Sequence, residues 1–87
     1  MEVDQAKAEL RTYITDHFRV AQNDPEFNDD VHLFDYGYVD SFGAVDLISF
    51  VESKFSIKIR MADLMAHPLN TISQIAGFAL QRQKGEL

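Results

Sequence analysis

The chain has 87 residues, and eight lysines and arginines against fourteen aspartates and glutamates give it a net charge of −6. This charge repels nucleic-acid phosphates and anionic lipid, so we expect partners with basic surfaces. The absence of cysteine excludes disulfides and thiolate-bound zinc, and no apolar run is long enough to cross a bilayer. The N-terminal residues also lack the basic and apolar segments of a secretory signal. We therefore expect a cytoplasmic monomer in which residues 1–87 form one domain, ordered from about 3 to 83.

The first predicted element is a helix from Val3 to Ala21. Its apolar residues recur at intervals of three and four, which is the pattern of a helix with one face on a core. That face carries Val3, Ala6, Leu10, Tyr13, Ile14, His17, Phe18 and Ala21. The sequence Asn23-Asp24-Pro25 is expected to end the helix, because the residue before a proline disfavours helical backbone.

The segment from Asp24 to Val39 is predicted to be an ordered loop that lies over the helices. Its expected apolar anchors are Phe27, Val31, Leu33, Phe34 and Tyr36. Its acidic residues, Asp24, Glu26, Asp29 and Asp30, invite comparison with a calcium loop. The EF-hand spacing with its central glycine and terminal glutamate is absent, so we interpret this segment as a solvated acidic loop.

A second helix is predicted to start at or beside Ser41 and to end near Phe55. Asp40 and Ser41 are both residue types whose side chains accept from first-turn amides, so either can be the N-cap. The apolar stripe of Ala44, Leu47, Ile48, Val51 and Phe55 must face a core. The opposite face, with Phe42, Asp46, Ser49 and Ser53, has few charges and an apolar residue, which suits transient docking. An isolated Asp-Ser pair is more often only a cap, with the Phe folded back onto the loop.

The remaining residues predict two further helices. Ser56 to Arg60 alternates like a strand but has no partner strand, so we expect an extended linker with Ile57 and Ile59 turned inward. Met61 to Ala66 can form one or two helical turns before His67-Pro68 ends them. Thr71-Ile72-Ser73-Gln74 is a capping box for a last helix that runs to about Gln83, with Ile72, Ile75, Ala76 and Ala79 on its inner face. The whole chain predicts an all-α bundle of three main helices plus a short one.

The residues do not predict an enzyme. A serine hydrolase needs a base near its serine, and the chain lacks the Gly-x-Ser-x-Gly turn. His17, His32 and His67 are scattered without metal-ligand spacing, and we interpret them as structural. Each glycine stands alone, so no glycine-rich phosphate loop is present.

One stretch of the chain consists of Leu33-Phe34-Asp35-Tyr36-Gly37-Tyr38-Val39-Asp40-Ser41-Phe42, followed by Val45, Leu47-Ile48, Val51-Glu52 and Phe55-Ser56-Ile57-Lys58-Ile59. This stretch resembles the attachment region of acyl and peptidyl carrier proteins. The likeness extends across nearly the whole chain. In that family a transferase attaches the phosphopantetheine arm of coenzyme A to the serine of an Asp-Ser-Leu type motif. Asp40 and Ser41 match its first two positions, whereas Phe42 replaces the usual Leu, Ile or Met.

The resemblance implies a four-helix bundle of the acyl carrier type that bears phosphopantetheine covalently on Ser41, beside Asp40, and holds biosynthetic intermediates as thioesters. The implied partners are a phosphopantetheinyl transferase, an adenylating enzyme that loads the acyl or aminoacyl group, and downstream acyl-transfer or condensing enzymes. We expect docking on the second helix through Phe42, Val45, Asp46, Ser49 and Glu52. The Leu-Phe-Asp-Tyr-Gly and Asp-Ser-Phe segments resemble those of aminoacyl, D-alanyl or secondary-metabolite carriers more than those of the fatty-acid type.

The alternative from another class is a helical interaction module, a degenerate carrier that is never modified and binds a partner through the second helix. The presence of Asp40-Ser41 argues against it.

Overall fold

The computed structural model describes all 87 residues and contains four helices and no strand. They are α1 (Val3–His17), α2 (Ser41–Phe55), α3 (Met61–Ala66) and α4 (Ile72–Gln83). The predicted all-α bundle of three main helices and a short one is therefore confirmed. None of the four helices combines the length and apolarity that a bilayer span requires.

A single core holds the three long helices together. The buried apolar residues are Ala6, Leu10 and Ile14 from α1, Leu47, Val51 and Phe55 from α2, and Ile72, Ile75, Ala76, Phe78, Ala79 and Leu80 from α4. The connections add Val31, Leu33, Val39 and Ile57. The inner faces predicted for α2 and α4 are thus confirmed, although Ala44 and Ile48 are only partly buried.

The first helix ends at His17, and the prediction that it continues to Ala21 is wrong. Phe18 leaves helical geometry with φ −101° and ψ 7°, and Arg19 adopts a positive φ of 56°. The apolar pattern continues past His17 because Phe18 is also partly buried against other residues: its ring packs on Gly43 in the first turn of α2. The prediction treated that tertiary contact as a continuation of the helix.

The segment between α1 and α2 is a loop without helix, and backbone hydrogen bonds attach it to the start of α4. The Leu33 N–H donates to the Asn70 carbonyl at 2.8 Å, and the Ser73 N–H donates to the Asp29 carbonyl at 3.0 Å. Val31 and Leu33 are buried anchors as predicted. Tyr36 was predicted to be an anchor as well, but it is 60% exposed.

The helices after α2 have the predicted limits. The linker is extended, with Ile57 buried and Ile59 packed against the core. The capping box at α4 is formed in both directions: the Gln74 N–H donates to the Thr71 hydroxyl at 3.0 Å, and the Thr71 N–H donates to the Gln74 side chain at 3.2 Å. These reciprocal bonds satisfy two amides that no helical carbonyl can reach.

Candidate functional site

Asp40 is the N-cap of α2. Its backbone is extended, and its Oδ1 accepts from the Gly43 N–H at 2.7 Å. Its carbonyl accepts the first helical bond, from the Ala44 N–H at 2.9 Å. Of the two candidates for the cap, the structure therefore selects Asp40. Ser41 is the first residue of the helix, and its exposed side chain has no hydrogen-bond role in holding α2.

The first turn of α2 can accommodate a phosphate group. The backbone amides of Ser41 and Phe42 precede the first helical hydrogen bond and have no acceptor in the chain. Free amides and the helix dipole favour an anion at a helix start. An exposed hydroxyl beside two unpaired amides therefore fits a serine-linked phosphodiester.

Two buried contacts hold this turn in place. Val39, directly before the cap, is only 1% exposed, which anchors the chain where it enters α2. Below the turn, the ring of Phe18 packs so closely on Gly43 that a Cβ there would lie 2.5 Å from Phe18 Cε1. Neither Gly43 nor Phe18 was predicted as a site residue from the sequence. The available signal was Gly43 itself, because a glycine inside a helix is unfavourable unless packing requires it.

Three of the predicted docking residues lie on the open surface of α2. Phe42 is 86% exposed and Val45 is 64% exposed, and Ser49 is also exposed. Phe42 and Val45 are three residues apart on α2, so these two exposed apolar side chains are neighbours on the helix surface beside the candidate serine. Their role in docking remains a prediction.

The two predicted acidic docking residues already have partners within the chain. Asp46 Oδ2 lies 3.1 Å from His17 Nε2, and the Asp46 carbonyl accepts from the Tyr13 hydroxyl at 3.3 Å. The carboxylate of Glu52 accepts from the Ile59 N–H at 2.8 Å and so holds the linker after α2. Asp46 is still 59% exposed, whereas Glu52 is only partly accessible.

An aromatic stack joins α1 to α2 beside Asp46. The ring of Tyr13 stacks on Phe50 at 4.0 Å and on His17 at 4.9 Å. Burial, followed by the nearby Asp46 charge, raises the pKa of Tyr13 above its ordinary value. His17 was predicted on the core face of α1, but its side chain is 43% exposed.

The other two histidines also make structural contacts. His32 Nδ1 accepts from the Asp35 N–H at 3.0 Å, and the ring of His67 lies 5.3 Å from that of Phe78.

An apolar cavity of about 350 Å³ lies between α2 and α3. Its walls include Leu47, Ile48 and Val51 from α2, Ile59 from the linker and Leu64 from α3. Ala44, one turn after Ser41, also lines it.

The structure is all-helical and places an exposed serine at a helix start, as the resemblance to carrier proteins predicts. The family model described as "Phosphopantetheine attachment site" matches residues 8–79. The chain therefore belongs to this family of carrier proteins, whose prosthetic group is covalently bound phosphopantetheine and whose members are generally not catalysts themselves.

Among curated relatives are D-alanyl carrier proteins from Streptococcus pyogenes, including those of serotypes M5 (strain Manfredo), M49 (strain NZ131) and M1. Each is 41% identical over 46 residues, which is 53% of this chain and 58% of the relative. The chain thus matches little more than half of the length of these relatives.

Proposed function

We propose that Ser41 carries the phosphopantetheine arm and that this chain acts in the cytoplasm as a carrier of acyl or aminoacyl thioesters. The observation that carries this proposal is that Asp40, and not Ser41, caps the start of α2. Because the Asp40 side chain caps the helix, the Ser41 hydroxyl is exposed and available for modification. The family match over residues 8–79 supports the same reading.

The modification requires no catalytic group from this chain. The Ser41 oxygen forms a new phosphoester bond as the pyrophosphate bond of coenzyme A breaks, adenosine 3′,5′-bisphosphate leaves, and the hydroxyl proton passes to the transferase. Afterwards the unpaired amides of Ser41 and Phe42 favour the negative charge of the phosphodiester. The bound arm supplies the thiol on which cargo is held as a thioester.

The relatives favour an aminoacyl cargo. The name D-alanyl carrier protein describes those relatives, and the proposal for this chain is that an adenylating enzyme loads an amino acid onto the arm. Downstream acyl-transfer or condensing enzymes then receive it. Mass analysis of the arm on protein purified from its host tests this proposal directly, because an arm bearing only a fatty acyl group would contradict it.

Partner docking is proposed on α2 beside the attachment serine. Phe42 and Val45 offer apolar surface, and Ser49 leaves the next turn free of bulk. Asp46 adds an exposed carboxylate, which suits a basic partner because electrostatic complementarity mainly speeds encounter. Weak docking is sufficient, since tethering already raises the effective concentration of the cargo.

The attachment site is tested by intact mass after incubation with coenzyme A and a broad-specificity phosphopantetheinyl transferase. Wild type should gain one phosphopantetheinyl unit and Ser41→Ala none. Ser53→Ala is the matched control, because Ser53 is another exposed serine of α2 that is not among the proposed docking residues, and it should be modified like wild type. Since Asp40 is the cap, Ser41→Ala should change the free energy of unfolding by less than about 0.5 kcal/mol.

Modification that persists in Ser41→Ala would place the site on another residue. A wild type that gains no mass would instead support the unmodified interaction module.

A further inference from the structure

The short helix α3 has no buried residue. Met61 and Met65 are 72% and 82% exposed, and Leu64, which lines the cavity, is 39% exposed. The other three helices are held by fully buried apolar side chains. Apolar burial is the main favourable term for a packed helix, so α3 needs another means of attachment.

Asp63 provides that attachment. Its side chain is only 13% exposed although it belongs to the most exposed helix. One carboxylate oxygen accepts from the Arg60 N–H at 2.8 Å, which closes the first turn of α3. The other accepts from Nη2 of Arg82, on the last turn of α4.

Arg82 joins three parts of the chain through one guanidinium. Besides the bond to Asp63, its Nη1 donates to the Lys58 carbonyl at 3.4 Å, in the linker before α3. Its Cζ lies 5.1 Å from the centroid of the buried Phe78 ring. A planar guanidinium suits this position because it can stack on a ring and donate from several nitrogens together.

The position of α3 also determines the shape of the cavity. Leu64 forms part of the wall opposite Leu47 and Ile48. Any movement of α3 away from α4 shifts this wall, whereas the lining contributed by α2 and α4 belongs to helices that are packed in the core.

We propose that Arg82 is a positioning residue: its pair with Asp63 fastens α3 to α4 and thereby fixes the wall of the apolar cavity that Leu64 forms. Loss of the pair releases α3 and widens the cavity while α1, α2 and α4 stay folded. This inference concerns the unmodified chain alone, so its test is independent of whether Ser41 is modified.

Amide hydrogen exchange read by NMR tests the proposal in Arg82→Met. The reporters for α3 are the Leu64 N–H, which donates to the Arg60 carbonyl, and the His67 N–H, which donates to the Asp63 carbonyl. We expect both to exchange about tenfold faster than in wild type. The Ile75 N–H in α4, which donates to the Thr71 carbonyl, should change by less than about twofold.

A second pair in the chain provides a matched control. Arg11 of α1 binds Asp29 of the following loop with two hydrogen bonds, at 2.7 and 3.0 Å, and neither residue belongs to α3 or α4. Arg11→Met changes the net charge by the same amount as Arg82→Met, and it should leave the exchange of the α3 amides as in wild type. Equal acceleration of Leu64 in the two variants would overturn the proposal.

Further variants separate the ion pair from a general packing role of Arg82. Asp63→Asn keeps an oxygen for the Arg60 amide and removes the charge, so it should loosen α3 as Arg82→Met does. The double variant should be no looser than either single variant, because both remove the same interaction. Arg82→Lys keeps the charge and should restore part of the protection. Additive effects, or no rescue by lysine, would contradict a role through Asp63.

Widening of the cavity is measured with the dye 8-anilinonaphthalene-1-sulfonate, which fluoresces on exposed apolar surface. Its fluorescence should rise about threefold with Arg82→Met and remain at the wild-type level with Arg11→Met. If α3 loosens without a rise in dye fluorescence, the part of the proposal that concerns the cavity is wrong. If the Ile75 amide accelerates as much as the α3 amides, the variant is globally destabilised and Arg82 has no specific role in α3.

Discussion

Substitution of Gly43 by alanine is expected to destabilise the chain, against the usual trend for glycines in helices. Replacing a glycine by alanine inside a helix normally stabilises by about 0.8–1.0 kcal/mol. At Gly43 the new methyl group would lie 2.5 Å from Phe18 Cε1 and 3.2 Å from Asp40 Oδ1. The first distance is far shorter than the roughly 3.5–4.0 Å of favourable carbon contacts.

The size of the effect follows from what has to move. Phe18 is packed against the core and meets the rings of Tyr13 and His17 edge-on, so overpacking should cost about 1–3 kcal/mol. A displaced Asp40 side chain would weaken the cap by up to about 1 kcal/mol. After the gain in helix propensity, we expect a net loss of about 1–2 kcal/mol, and each kcal/mol lowers Tm by about 4–8 °C in a domain of this size.

Thermal melts followed by circular dichroism, with Gly77→Ala as the control, measure this prediction. Gly77 lies in α4 with no atom within 4 Å of the added Cβ, so Gly77→Ala should raise Tm. Adding Phe18→Leu to Gly43→Ala removes the clashing Cε1 and should recover part of the loss. The transferase should also modify Ser41 more slowly in Gly43→Ala, because the turn that presents it has shifted. A Gly43→Ala protein that melts higher than wild type, as Gly77→Ala should, would refute the packing argument.

Four further predictions concern stability, pH and docking. Val51 is 1% exposed, so Val51→Asp should cost several kcal/mol and abolish the cooperative melt of a small domain with only about 5 kcal/mol of stability. An unchanged melt would contradict the core assignment. The Arg60 N–H, followed by the Arg82 guanidinium, lowers the pKa of Asp63 in the folded chain. The stability that results is present above the pKa of Asp63 in the unfolded chain, about 4, and is lost as the pH falls through its pKa in the folded chain. Below about pH 4, Tm should therefore fall more steeply in wild type than in Asp63→Asn. Asp46→Lys removes the exposed pair with His17, so the free energy of unfolding should change by less than about 0.5 kcal/mol. Modification by the transferase should become slower, most of all at low salt. A wild-type rate of modification at low salt would exclude Asp46 as a docking charge. Phe42→Ala should weaken the docking of partner enzymes at every ionic strength, because Phe42 contributes apolar burial. A loss of docking that disappears at high salt would contradict this prediction.

The limits of α2, α3 and α4 could be predicted from the sequence because local interactions set them. Asp40 accepts from an amide three residues away, and the capping box of α4 spans Thr71 to Gln74. Residue types at such short spacing determine these bonds without reference to the rest of the fold. The same applies to the apolar stripe of α2, whose period of three and four identifies the core side before any partner helix is known.

The tertiary structure alone decided the end of α1 and the environment of the charged residues. Phe18 leaves the helix to pack on Gly43, and Asp46 has a partner in His17. The Asp63–Arg82 pair joins residues 19 positions apart on different helices. Periodicity shows which side of a helix is apolar, but it does not contain the distances between elements. Close packing and ion pairing depend on those distances, which exist only once the helices have packed around a common core.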